Sequence, residues 1–216
     1  MPTGSGHLVL LHRGLALFLY RTAVLFIGAC SFRFGDERVG PVFDERFART
    51  EFTNNLEAIF TDQHRSPLQL GSAPHLKAAL ALTEMLESWV LAHELGHVLG
   101  HGKTFKTSHE VEFSADALGL ELYRATLPTY LQHECAHHED PIIRSMHVAA
   151  PHMFFHLALL IELFHPQELE DTHPHAYERS RRLWSKTAGD DATIALARQI
   201  LAAFVHTTAP NRGIMP

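Results

Sequence analysis

The stretch VLAHELGHVLGHGK, residues 90–103, contains His93-Glu94-Leu95-Gly96-His97, the H-E-x-x-H pattern of zinc hydrolases. Positions i and i+4 of a helix share a face, so His93 and His97 can offer imidazoles to one ion while Glu94 stands one residue along. With 18 His and 16 Glu in 216 residues, a shuffled chain carries such a match roughly one time in ten. A second copy does occur, His133-Glu134-Cys135-Ala136-His137 in LQHECAHHEDP, residues 131–141. The surroundings decide between the two.

The first copy ends a long helical pattern. From His75 to about Leu99, apolar residues recur at helical spacing (Leu76, Leu80, Leu82, Met85, Leu86, Trp89, Val90), Pro74 suits the first turn, and Gly100 and Gly102 supply a stop. Leu91, Leu95, Val98 and Leu99 give the motif apolar walls. Gln132, His138, Glu139 and Asp140 flank the second copy, which reads as a solvated His-rich surface that binds metal adventitiously.

Two histidines leave a protein ligand to be found. Lys103 occupies the position of the third histidine in H-E-x-x-H-x-x-G-x-x-H, and His101 on a continuing helix lies about 12 Å along the axis from His93, so it reads as a cap or surface residue. Among the eight Asp, Asp116 alone has Glu four residues before it: Glu112, in HEVEFSADALGLELY (109–123). Glu112 is then the third ligand, and Asp116 sits beneath it to orient a histidine through its other ring nitrogen. Glu110 has Ser114 at the partner position and is the weaker choice.

These residues resemble a gluzincin, and more narrowly the family of the HtpX heat-shock protease and the CAAX prenyl protease. The likeness runs through H-E-L-G-H, E-F-S-A-D and THPHAYERSRRL (172–183), similar to that family's T-H-P-x-x-x-x-R segment, and it covers motifs from His93 to Leu183 rather than the N-terminal third. It implies Zn2+ held by His93, His97 and Glu112, Glu94 as general base, and Asp116 supporting a ligand. His173 and Arg179 become candidates to line the site and stabilise an oxyanion; the alternative makes HPH a loop and Arg179 a solvated helix residue. His175 and Ser180 depart from the family pattern, and its several membrane spans are missing. Compact gluzincins of the Lit-type phage-exclusion group are also similar.

The rest of the chain bounds this reading. At 46% hydrophobic and 19% charged, 216 residues suit one domain, 1–216. A net charge of −6 with scattered Lys and Arg offers no face for nucleic acid. Cys30 and Cys135 read as free thiols in a reducing compartment, which favours the cytoplasm. An N-terminal helix is expected at about 14–32, with Leu15, Phe18, Leu19, Thr22, Phe26 and Ala29 on one face; Arg21 near its middle disfavours membrane insertion, which remains the alternative.

Residues 34–52 read as polar loop with a short strand at Val39–Phe43, and Asn54–Phe60 as a helical turn. Further helices are expected at 109–126, 129–139, 152–164 and 190–206. His152 and His156 are read as core residues, not ligands. The expectation is therefore a mainly α, zincin-like metallopeptidase domain with a small strand or ribbon beside the active-site helix. It would be a zinc-dependent endopeptidase acting on a protein or peptide; the alternatives are a non-catalytic metal-binding protein on the same frame and a membrane-tethered protease using residues 14–32.

Overall fold

The computed structural model describes residues 13–34, 37–61, 68, 70, 72–100, 104–133, 141–164, 174–187 and 189–208. Among them seven helices and one hairpin follow in order: α1 (Arg13–Ala29), β1 (Phe32–Phe34), β2 (Glu37–Val39), α2 (Glu45–Thr61), α3 (Ala73–Gly100), α4 (Ser108–His133), α5 (Pro141–Phe164), α6 (Ala176–Trp184) and α7 (Asp191–Thr208). The protein is mainly α, as expected.

Helix α1 packs against α2, α3 and α7, and from Phe18 to Gly28 almost every residue is buried, Tyr20 being partly so. A helix apolar on all sides belongs in a core or a bilayer; here neighbouring helices supply the apolar surroundings. Arg21 is buried within it, and its Nε donates to Asn55 Oδ1 on α2 at 3.1 Å. Glu51 stands 3.8 Å from the same guanidinium. The cation is thus paired within the protein, as a buried charge requires.

Residues 45–61 form helix α2 where a polar loop and a single turn were expected. Asp44 caps it, its carboxylate accepting from Phe47 N at 2.7 Å, and Ala48, Phe52 and Leu56 bury one narrow face at four-residue spacing. So few apolar positions left the helical period faint in the sequence. The expected strand at Val39–Phe43 is instead a hairpin one step earlier, with Phe32 opposite Val39 and Arg33 opposite Arg38. Phe32 packs edge-on to His75 near the start of α3, ring centroids 5.3 Å apart. The ribbon therefore lies beside α3 but at the end away from its H-E-L-G-H.

Two prolines, Pro128 and Pro151, lie inside helices that extend beyond the expected segments. Helix α4 runs on past Pro128, so one helix replaces the expected 109–126 segment and the start of 129–139; residues 134–139 lie outside those described. Helix α5 begins at Pro141, where a missing N–H is no loss, and continues through Pro151 rather than starting at 152. Pro151 cannot donate to the His147 carbonyl one turn back. The hydroxyl of Tyr123 on α4 donates to that carbonyl instead, at 3.1 Å, so the freed acceptor becomes a link between helices. Among the described residues α5 is the one helix long and apolar enough to cross a membrane by length and composition, and half of its most apolar window is buried in the protein.

Candidate metal centre

Helices α3 and α4 form the most extensive packed pair, and glycine lets them approach closely. A Cβ on Gly96 would collide with the Ala115 backbone carbonyl, and one on Gly119 would lie 3.0 Å from the Cα of His93. Thr107 starts α4 by accepting from Glu110 N at 3.2 Å, while Glu110 reaches back to Lys106 N at 2.7 Å. Glu110 is thus occupied in an exposed capping arrangement close to a capping box, and Glu112, one face round, points inward. Neither Gly96 nor Gly119 belongs to the expected ligand set, although glycine inside a helix costs about 1 kcal/mol relative to alanine and signals a packing reason.

The donor atoms of His93, His97 and Glu112 converge within 4.8 Å of one another. His93 Nε2 and His97 Nε2 are 3.1 Å apart. Glu112 Oε1 lies 3.4 Å from His97 Nε2, and Glu112 Oε2 lies 3.6 Å from His93 Nε2. Around a tetrahedral ion about 2.1 Å from N and O ligands, neighbouring ligand atoms are about 3.4 Å apart. The triangle is the size of such a face, its chemistry is the His-His-carboxylate set, and His93 and Glu112 are buried while His97 is half-buried. These residues could hold a metal ion.

Asp116 stands one turn beyond Glu112, with Oδ1 3.0 Å from His93 Nδ1. That contact gives an Nδ1–H of His93 an acceptor and turns Nε2 toward His97 and Glu112, while Arg179 Nη2 lies 3.3 Å from both ring nitrogens. Arg179 enters from α6: Nε donates to Asp116 Oδ2 at 2.9 Å and Nη2 to Oδ1 at 2.7 Å, a two-point grip. The same Nη2 is 3.1 Å from Glu112 Oε2. Burial alone would raise the pKa of Asp116, but hydrogen bonds from Arg179 and His93, with their charges, hold it below the ordinary carboxylate value. Burial and the neighbouring His93 lower that of His97, against the opposing pull of Glu112 and Glu94.

Helix α6 is itself held on several sides. Glu162 Oε1 on α5 accepts from Ala176 N at 3.0 Å, at the helix N-terminus where a carboxylate is stabilised. His152 stacks on Trp184 with ring centroids 3.8 Å apart and bonds Ser180 Oγ at 3.0 Å. The Arg182 guanidinium lies over Phe113 of α4 at 3.6 Å. Glu162 was not foreseen as a site-supporting residue; it is separated from α6 by a segment that carries no helical pattern.

Of the residues singled out by sequence, His93, His97, Glu112, Asp116 and Arg179 therefore meet. Glu94 lies on the exposed side of α3, near enough to His97 for its charge to act there. His173, His101 and the segment 134–140, with Glu134 and His137 of the second motif, lie outside the described residues. His152 and His156 are core residues as expected, bonded to Ser180 and Thr208. Leu91, Leu95 and Leu99, expected as walls, are exposed along one side of α3.

No family model, curated protein or solved structure matches the chain. The gluzincin resemblance rests on the motif residues.

Proposed function

We propose that the protein is a zinc-dependent peptidase of gluzincin type, with His93, His97 and Glu112 as ligands. The triangle of donor atoms at tetrahedral spacing carries this reading, and the presence of Glu94, which a purely structural metal site does not need, extends it to catalysis. Zinc, when bound, supplies the Lewis acidity that makes water nucleophilic near neutral pH and polarises a peptide carbonyl.

The chain's own residues do the rest. Glu94, solvent-accessible beside the ligands, takes a proton from the attacking water and delivers it to the departing amine as the C–N bond breaks. Asp116 gives an Nδ1–H of His93 an acceptor. Arg179 acts as a positioning residue: its Nη2 holds Asp116 and Glu112 and also lies 3.3 Å from both ring nitrogens of His93.

One observation favours a second reading, a non-catalytic metal-binding protein. Gluzincin-type clefts hold an extended peptide against a strand edge, and among the described residues the strands stand at the opposite end of α3. Zinc content measured together with cleavage of a proteome-derived peptide library separates the two. The peptidase reading expects about one zinc per chain in wild type and Glu94→Gln, with cleavage reduced at least about 100-fold in the variant. Equal cleavage by both removes Glu94 as base; zinc-loaded wild type that cleaves nothing favours the binding protein.

A further inference from the structure

Arg179 turns inward to the carboxylates of the metal-binding cluster. One turn before it stands His175, the N-cap of α6, whose carbonyl accepts from Arg179 N at 3.1 Å. Residues four apart share a side of a helix, so His175 leaves α6 on the flank that borders the cluster. Unlike Arg179, it faces solvent: its side chain is 86% exposed. Of the groups α6 brings to this flank, the His175 imidazole is therefore the one an incoming solute can reach.

Glu162 of α5 stands behind that imidazole. Its Oε1 is fixed by Ala176 N at 3.0 Å, and among the described residues its Oε2 is buried without a hydrogen bond. His175 Nδ1 lies 3.6 Å from this oxygen, and catalytic hydrogen bonds are often long before substrate binds and tighten afterwards. With Nδ1 turned to the carboxylate, Nε2 is left to solvent. In the imidazolium form both nitrogens donate, one to Glu162 and the other to an acceptor on the open side. The charge of Glu162 also acts on Arg179, so the pair belongs to the same electrostatic surroundings as Glu112 and Asp116.

We propose that His175, oriented by Glu162, donates from Nε2 to the carbonyl oxygen of a bound peptide as that oxygen gains negative charge. The assignment rests on the peptidase reading and adds a catalytic residue to it. The likeness to known families does not supply this residue, because His175 departs from their pattern. A donor aimed at developing charge is worth about 100–1,000-fold in rate.

The zinc-loaded full chain tests it by binding and by turnover. The two probes for calorimetry are a phosphinic pseudo-tripeptide with alanine side chains, whose phosphinate oxygens mimic those of the tetrahedral intermediate, and acetohydroxamate, which needs only the metal. His175→Ala is expected to weaken the phosphinic ligand at least about tenfold and Glu162→Gln at least about threefold, with acetohydroxamate affinity and zinc content unchanged. On a peptide that wild type cleaves, kcat of His175→Ala is expected to fall about 100-fold while KM stays within about threefold. Arg181→Gln, at an exposed position of α6, is expected to match wild type throughout. Wild-type phosphinic affinity and kcat in His175→Ala overturn the role of His175 and leave the peptidase reading standing. So do a rise in KM alone, a loss of zinc, or equal losses in Arg181→Gln, each of which makes His175 a ground-state or structural contact. Zinc-loaded wild type that neither cleaves the peptide library nor binds the phosphinic ligand overturns the peptidase reading itself, and the role of His175 with it.

Discussion

Gly119 packs against the backbone of His93 so closely that a methyl group added there would stand 3.0 Å from the His93 Cα and 3.1 Å from the Ala92 carbonyl. Gly96 meets Ala115 in the same way from the other helix. The carboxylate of Glu112 reaches both histidines because these two contacts bring α3 and α4 together. Alanine in place of either glycine gains about 1 kcal/mol of helix propensity against an overpacking cost of about 1–3 kcal/mol. Gly96→Ala, which strikes backbone, is expected to lose stability in urea unfolding and to weaken metal binding more than Gly119→Ala does. A Gly96→Ala protein as stable as wild type, with undiminished metal affinity, would show that the helices can part without disturbing the site.

Asp116 is the hinge of the electrostatics, since it holds His93 on one side and Arg179 on the other. Asp116→Asn keeps the shape but removes the charge that faces the imidazole Nδ1 and answers the guanidinium. Metal affinity is expected to fall about 10–100-fold, read by competition with a chromophoric chelator. Arg179→Lys replaces the planar two-point grip with a point charge and is expected to weaken metal binding less than Asp116→Asn. The reverse order would assign the dominant effect to Arg179 on Glu112.

Metal binding to the native state alone raises stability by about 4 kcal/mol when free metal is 1,000-fold above Kd. For a chain of this size that corresponds to roughly 8–16 °C in Tm. Differential scanning calorimetry with zinc and with a chelator is expected to show such a gap in wild type and to lose it in His93→Ala. A gap that survives His93→Ala would locate the stabilising metal elsewhere, the His-rich segment 133–138 being the first place to test.

The cluster was legible because its elements are local in sequence. His93 and His97 are one turn apart, Glu112 and Asp116 likewise, and the spacing between the pairs allows a helix to end and return. Arg179 comes from far along the chain, and family resemblance rather than spacing pointed to it. What the sequence hid follows from weak or ambiguous local signals. Helix α2 shows one narrow apolar face, and the expected helix at 152–164 falls short of α5 because nothing local reveals that Tyr123 satisfies the carbonyl freed by Pro151. The shape that holds α3 and α4 together is carried by two glycines, whose role is visible only once both helices are in place.

That Tyr123 bond is itself testable. Tyr123 is buried and stacks on the His147 ring at 4.0 Å, so Tyr123→Phe keeps the ring and deletes only the hydroxyl. It leaves the His147 carbonyl without the bond that replaces Pro151's missing N–H. A loss of about 1–3 kcal/mol is expected in urea unfolding. Pro151→Ala restores the backbone donor, and combined with Tyr123→Phe it is expected to recover part of that loss, whereas strictly additive changes would mean the two groups do not serve one acceptor.

Three histidines of α5 make the fold sensitive to acid. Burial lowers the pKa of His152 to about 3, and of His147 and His156 to about 4. In the unfolded chain each titrates near 6.5. Below that value the unfolded state binds protons that the native state refuses, so stability rises with pH through this window. Their contribution is complete above about pH 7 and is lost as pH falls from about 6.5 toward 3 to 4. On the order of three extra protons are taken up on unfolding near pH 5, a slope of roughly 4 kcal/mol per pH unit. Urea unfolding of the metal-free protein at pH 7, 6 and 5 measures it. His152→Phe, which retains a ring against Trp184, is expected to reduce the uptake by about one proton; equal wild-type stability at pH 7 and pH 5 would mean that these imidazoles accept protons without leaving the core.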